Sequence, residues 1–181
     1  MLKRALLLGA ALAGAGFLIY CARGPLAVHA RSTQLAPTVF SKAGLSMVLG
    51  DEWQGDANPA PGPRPPTMHS AAGTLRVVPL PSDVKTPEDA AGALSLTFAR
   101  NPGTIRGSFE RERFVSRSGL RGIHVSCRRQ MPAGATSIEV SSHHFIVRNR
   151  EGRCVAVSYD VLSPATEAEL VQQIQQSLSL Q

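Results

Sequence analysis

The chain contains few of the residues on which catalytic and metal-binding motifs depend. Its 181 residues include three cysteines and a single tryptophan. No Cys-x-x-Cys pair occurs, and this excludes the paired-cysteine motifs of zinc sites. The Gly-x-Ser-x-Gly motif is also missing, which excludes the nucleophile elbow of α/β-hydrolases. We therefore expect no catalytic residue, no bound metal and no cofactor.

Acidic residues are scarce, and the first thirty residues contain none. The chain has 13 acidic residues against 19 lysines and arginines, and all 13 follow residue 30. Three of the basic residues precede that point, which leaves a net charge of +3 for residues 31–181. No aromatic-plus-basic motif of the known nucleic-acid-binding modules accompanies this charge. We expect no nucleic acid partner.

The start of the chain has the layout of an export signal. Lys3 and Arg4 precede an uncharged run over residues 5–20, and Pro25 follows shortly after it. The run is apolar on every side, so it lacks the polar face that a core helix of a soluble domain presents to water. A basic end, an apolar middle and a helix-breaking residue indicate a signal peptide or an N-terminal membrane anchor over residues 1–30.

Three fates of this segment stay open. Val28 and Ala30 are the small residues that a signal peptidase requires for cleavage after Ala30. Lipidation at Cys21 is disfavoured by the preceding Tyr20, because a lipobox has a small residue there. Without cleavage, residues 5–22 form a helix of roughly 27 Å, long enough for an inner-membrane anchor. We expect a periplasmic protein, or one anchored in the inner membrane with its domain outside the cytoplasm.

The rest of the chain has the length of one domain. We assign residues 31–37 to a tether and residues 38–181 to a single domain. Five prolines between Pro59 and Pro66 remove backbone donors and stiffen the chain. We therefore predict a proline-rich surface loop over residues 55–72.

The order of strand and helix signals in this domain favours the α+β class. Two short strands precede Trp53, and a third covers residues 74–80. Thr86 is suited to cap a helix, which we expect to end near Arg100. A closing helix with its cap at Ser163 follows four further strands, predicted over residues 105–116, 120–130, 136–148 and 153–162. Because short links join antiparallel neighbours, we expect a curved, mainly antiparallel sheet of about six to seven strands with two principal helices.

Several short segments together resemble a known family. They are residues 44–49 followed by Trp53, then residues 75–78, 86–89, 145–147 and 155–159, and the closing helix. In this order the chain resembles the PsbP-like superfamily, which includes the bacterial DcrB-type envelope proteins, over residues 38–180. Trp53 resembles the tryptophan of the family's opening P-x-x-W turn, although Gly50 stands in place of the usual proline. The resemblance implies an α/β/α sandwich, a fold used in that superfamily mostly for binding, and it transfers no catalytic residue.

Arginines are dense between residues 100 and 129, and this density has two interpretations. One is a solvated face of the sheet. The other is a docking surface for an acidic protein partner or for phospholipid head groups. If the surface binds a partner, we expect its contacts to include Arg111, Arg113, Arg128 and Arg129. Trp53 is either a plug at one end of the sheet or a further interface anchor.

The histidines offer the best alternative to a binding role. His143 and His144 are adjacent on a predicted strand, so they point to opposite faces and cannot chelate one ion together. His124 approaches one of them if their strands are neighbours. A hydrolase or metal-dependent enzyme would have to gather these histidines with Glu139 or Asp160 in one pocket.

Two other pairs of residues have structural explanations. Glu110 and Glu112 share a strand face and alternate with arginines, so cross-strand ion pairing explains them more simply than acid–base catalysis. Cys127 and Cys154 lie about 9 to 10 Å apart if their strands flank a common middle strand. That distance exceeds the bridging range and disfavours a disulfide.

These observations lead to a prediction of a non-enzymatic envelope protein. We expect a protein-binding or accessory module outside the cytoplasm, of the immunity or secretion-accessory type, with an acidic protein partner. The alternatives are an uncharacterised hydrolase or metal-dependent enzyme and a purely structural periplasmic domain.

Overall fold

The computed structural model describes residues 36–181 except 63, 102, 134, 135 and 163. The described residues all lie within one compact unit, Leu35–Gln181. The predicted export segment over residues 1–30, its three alternative fates and most of the predicted tether therefore lie outside the described residues. None of the described helices is long and apolar enough to cross a membrane.

Ten strands and two α-helices make up the described fold, which belongs to the α+β class as the sequence predicts. The helices are α1 (Pro87–Arg100) and α2 (Glu167–Ser177). The strands are β1 (Pro37–Phe40), β2 (Leu45–Val48), β3 (Gln54–Asp56), β4 (Thr67–Ser70), β5 (Gly73–Pro79), β6 (Glu110–Val115), β7 (Arg121–Ala133), β8 (Thr136–Arg148), β9 (Cys154–Val161) and β10 (Ser179–Leu180). Strand content exceeds helix content, since the helices contain 14 and 11 residues.

The strands form two antiparallel sheets. The large sheet has seven strands in the order β3-β4-β5-β9-β8-β7-β6, and the small sheet has the order β1-β2-β10. Strands β6 to β9 pair with their neighbours in sequence, as expected for a meander. Strand β5 pairs with β9 instead of β6, so the chain crosses the sheet through α1 between β5 and β6.

The predicted loop over residues 55–72 is shorter in the structure. Strands β3 and β4 take up residues at both ends of this segment and pair with each other, with Asp56 opposite Thr67. This pairing satisfies backbone groups at both ends of the segment, so only residues 57–66 connect the two strands.

Strand β6 is also shorter than predicted, because the predicted start at residue 105 lies in the irregular segment before Glu110.

The start of α1 follows from its sequence. Thr86 is its N-cap, and the Asp89 backbone N–H donates a hydrogen bond of 3.1 Å to the Thr86 side-chain oxygen. Pro87 occupies the first helical position, and Glu88 and Asp89 lie near the positive end of the helix dipole. The helix ends at Arg100, where the sequence predicts it.

Alternation of side chains along β8 divides the core between the two faces of the large sheet. On the α2 face, the sheet packs against α2 and the small sheet through a cluster that includes Phe40, Leu45, Leu75, Phe145, Val157, Tyr159, Leu170, Ile174 and Leu178. On the α1 face, it packs against α1 through a second cluster, Ala90, Ala91, Phe98, Ile123, Val125, Cys127, Ile146 and Ala156. Both faces of the central strands are therefore buried.

The two described cysteines lie on β7 and β9, on either side of β8. Cys127 and Cys154 are both free and buried, as expected from the spacing of strands. Burial raises the pKa of both thiols, which keeps them protonated at neutral pH.

Two leucines allow a matched test of this core. Leu178 is 0% exposed at the end of α2, whereas Leu96 on α1 is 60% exposed. We expect Leu178→Ala to lower the free energy of unfolding by about 2 to 5 kcal/mol, because it removes a fully buried side chain and leaves a cavity. Leu96→Ala, the control, should change it by less than about 0.5 kcal/mol. Urea denaturation measures both values, and equal effects of the two substitutions would contradict the assignment of Leu178 to the core.

Candidate functional site

Strand β6 forms one edge of the large sheet and carries two of the candidate arginines. Glu112 lies opposite His124 of β7, which places it on the α2 face. Arg111 and Arg113 lie opposite Val125 and Ile123, on the α1 face. All three charged side chains are exposed. The strand thus presents arginines on one face and glutamates on the other.

The two arginines of β6 have little ionic pairing. The only ion pair of Arg113 with a described residue joins its Nη2 to Glu88 Oε1 at 3.5 Å, and the Arg113 side chain is 83% exposed. Arg111 forms no ion pair with any described residue. Exposed pairs of this kind contribute little stability, about 0 to 1 kcal/mol. Both positive charges are therefore available to another molecule.

The other two candidate arginines lie apart from these. Arg128 of β7 lies on the α2 face, and its Nη1 pairs with Glu139 Oε1 at 3.2 Å. Arg129 lies on the α1 face with a side chain that is only 22% exposed. The four arginines therefore do not form one continuous surface. The sequence did not distinguish them because burial depends on which helix covers each position.

Arg129 belongs to a partly buried ionic network. Its Nη2 contacts Asp160 Oδ1 at 2.8 Å, and its Nε donates to Ser142 Oγ at 2.9 Å. Arg76 Nη1 pairs with the other carboxylate oxygen of Asp160 at 2.9 Å. Burial alone would raise the pKa of Asp160, but the hydrogen bond from Ser142 and the charges of both arginines hold it below its ordinary value. Arg129 thus compensates a partly buried carboxylate and has a structural role.

Trp53 lies in the core cluster on the α2 face of the large sheet. It is 7% exposed, and its ring meets that of Tyr159 edge-on with centroids 5.9 Å apart. Trp53 therefore occupies the buried position that the structural interpretation expects, and not the exposed position of an interface anchor. We therefore do not include Trp53 in the candidate binding surface.

A chain of hydrogen bonds links β6 to α2 through two buried histidines. His124 Nδ1 lies 2.8 Å from Glu112 Oε1, and His124 Nε2 lies 3.0 Å from His143 Nδ1. His143 Nε2 lies 2.9 Å from Glu167 Oε1 of α2. The sequence predicted that His124 would approach one of the adjacent histidines, and the register selects His143. The sequence analysis missed Glu167, because a contact between a strand and a distant helix has no local pattern.

All four ring nitrogens of the two histidines take part in this chain of hydrogen bonds. Each nitrogen of His124 and His143 has a hydrogen-bond partner, so neither imidazole has a nitrogen left for a metal ion or a substrate. Burial lowers the pKa of His143, although the hydrogen bond with Glu167 opposes that effect. Within the described residues no group of three or more His, Cys, Asp or Glu side chains is arranged to hold a metal.

His144 points to the α1 face, away from these two histidines. Its Nδ1 lies 2.9 Å from Ser158 Oγ, and its ring packs against Phe98 with centroids 5.2 Å apart. Burial lowers the pKa of His144 to about 4. Glu139 lies four residues from His143 along β8, roughly 13 Å, and Asp160 is held in the arginine network. The structure does not gather these side chains in one pocket.

Recesses flank β6 on both sides. One has a volume of about 170 Å³ and is lined by Glu110, Arg111, Glu112, His124 and Ser126. The other has a volume of about 480 Å³ and includes Glu88, Arg113, Val115 and Arg121 in its lining. Val115 is 61% exposed. The edge of the sheet at β6 thus combines exposed charge, open space and an exposed apolar side chain.

No protein-family model matches this chain, and no curated protein matches it.

The buried histidines make the fold sensitive to acid. The pKa of His144 is about 4 in the folded state against an ordinary value of 6.5, so the unfolded chain binds the proton more tightly. The resulting stability is fully present above pH 6.5 and is lost as the pH falls from 6.5 towards 4. We expect this residue alone to lower the free energy of unfolding by about 3 kcal/mol over that interval.

Urea denaturation at a series of pH values from 7 to 4 measures this loss. The His144→Gln variant should lose less stability than the parent as the pH falls. His69 is exposed, and His69→Gln should keep the pH dependence of the parent. If His144→Gln also kept it, protonation of His144 would have no part in the acid sensitivity.

Proposed function

We propose that this chain is a non-enzymatic envelope protein whose domain binds an acidic protein partner outside the cytoplasm. The observation that carries the proposal is the pair Arg111 and Arg113. Both are exposed on the edge strand β6, both lie on the α1 face, and together they form one ion pair, at 3.5 Å. Exposed arginines with so little ionic pairing favour an interface at this edge, because arginine is enriched at protein–protein contacts.

Neighbouring residues extend the positive charge of this edge. Arg121 lies opposite Val115 across β6 and β7, so its exposed side chain belongs to the same face as the two arginines of β6. Among the described residues, Glu88 is the only acidic one that lines the recess beside Arg113 and Arg121. Arg111 lines the other recess, whose glutamates Glu110 and Glu112 belong to the α2 face. A local excess of positive charge steers association with an acidic surface and selects against basic ones.

The location and the finer fold are part of the same proposal. The basic and apolar start of the sequence supports export, with a periplasmic domain or one anchored by residues 5–22. The contacts of α1 and α2 with opposite faces of the large sheet support an α/β/α sandwich of the PsbP-like kind. Within such an envelope protein, capture of an acidic toxin or a secretion component is the immunity or accessory role that we favour.

The test is capture of a partner by the tagged full-length protein from native envelope extract. We expect one stoichiometric acidic protein, and we expect Arg111→Glu/Arg113→Glu to retain at least tenfold less of it, because two attractive contacts become repulsive. A control with the same change of net charge is Arg64→Glu/Arg153→Glu, at two exposed arginines outside β6.

The control variant should capture the partner as the parent does. Recovery of the bait alone would overturn the proposal, and so would equal capture by the β6 variant and the parent. The intact mass of the recovered bait distinguishes cleavage after Ala30, lipidation at Cys21 and retention of the whole segment.

A further inference from the structure

Within the part of the chain that the structure describes, no strand pairs with the backbone of β6 on the side away from β7. In an antiparallel pair, the N–H and C=O groups of alternate residues point away from the partner strand. Among the described strands β6 has β7 as its only neighbour, and its six residues make no other backbone hydrogen bond to a described residue. Such an edge is a template on which a further strand can pair. The opposite edge, β3, has only three residues.

The charges on β6 decide which strand pairs there. Glu110 and Glu112 share the α2 face, and Arg111 and Arg113 share the α1 face. When two copies of one strand pair antiparallel about a two-fold axis normal to the sheet, opposing side chains always come from the same face. Glutamate would then meet glutamate, and arginine would meet arginine. Like charges directly opposite each other are destabilising, so this pattern disfavours pairing between two copies of the chain.

A strand with the opposite arrangement would form attractive pairs on both faces. Acidic side chains would lie beside Arg111 and Arg113, and basic side chains would lie beside Glu110 and Glu112. Successive residues of a strand point to opposite faces, so such a segment has acidic and basic residues in alternation. The recesses of about 170 and 480 Å³ beside β6 leave space for its side chains.

We propose that β6 is the docking edge for an extended segment of the partner protein in which acidic and basic residues alternate, added as an eighth strand of the large sheet. This inference rests on the proposed binding function and specifies its mode. Main-chain hydrogen bonds to β6 supply affinity, and the two charged faces supply register and selectivity.

A synthetic peptide tests the pattern directly. The probe is a capped ten-residue peptide of alternating Glu and Lys, and its control has the same composition with the five Glu and five Lys in two blocks. Both are titrated into the isotopically labelled full-length protein, and the backbone amide signals are followed by NMR. We expect the alternating peptide to shift the amides of residues 110–115 and the block peptide to bind at least tenfold more weakly.

Two further comparisons separate strand pairing from simple charge attraction. Two methylated versions of the alternating peptide are needed, one methylated at the backbone nitrogens of its Glu residues and one at those of its Lys residues. Only one version should lose the shifts, because only one of the two sets of N–H donors faces β6. Arg111→Glu/Arg113→Glu should weaken binding of the unmodified peptide at least tenfold, whereas Arg64→Glu/Arg153→Glu should not. Equal binding of alternating and block peptides, or no shift in residues 110–115, would overturn the inference.

Hydrogen exchange distinguishes failure of this inference from failure of the proposed function. In a complex with the captured protein, strand addition should slow amide exchange over residues 110–115. A complex that depends on Arg111 and Arg113 but leaves this exchange unchanged would overturn strand addition and leave the binding function standing. A two-fold dimer of the protein joined through β6 would contradict the argument from like charges.

Discussion

Burial of the large sheet on both faces is the constraint on which the rest of the structure depends. Strand β8 lies at the centre of the meander, and its alternate residues enter two separate clusters. Each cluster needs a cover, which α1 provides on one side and α2 with the small sheet provides on the other. The apolar stripe of each helix, the closing strand β10 and the burial of Trp53 all follow from this requirement.

The same constraint explains the polar residues inside the sheet. A buried charge or ring nitrogen is stabilised by a partner, since a group without one loses its hydration and gains nothing in return. Trp53 Nε1 and His144 Nε2 are exceptions among the described residues. Arg129 with Asp160 on the α1 face, and His124 with His143 on the α2 face, have such partners, with hydrogen bonds of 3.0 Å or less. The charged side chains of β6 do not need such partners, because they are exposed and no described strand pairs with the outer side of β6. Charge at the edge is therefore available for recognition, and charge at the centre is committed to the fold.

The sequence predicts those parts of the structure that depend on local chemistry. The cap at Thr86, the meander after residue 105 and the opposite directions of His143 and His144 follow from residue type and from the period of a strand. The burial of Arg129 and the contact of His143 with Glu167 do not. They depend on which helix covers which face and on register between distant segments, and no local pattern specifies either. The structure places Arg111 and Arg113 on one strand face and Arg129 in a partly buried network, so the candidate surface that we propose is narrower than the group of four arginines expected from the sequence.

Urea denaturation of two matched variants tests most directly whether Arg129 stabilises the fold while Arg111 does not. Arg129→Ala should lower the free energy of unfolding by about 2 kcal/mol or more, because it leaves Asp160 without its principal charge partner in a partly buried site. Arg111→Ala should change it by less than about 0.5 kcal/mol, because its side chain is exposed and forms no ion pair with a described residue. Equal effects of the two substitutions would contradict the account, because Arg129 would then contribute no more to stability than an exposed arginine at the edge of the sheet.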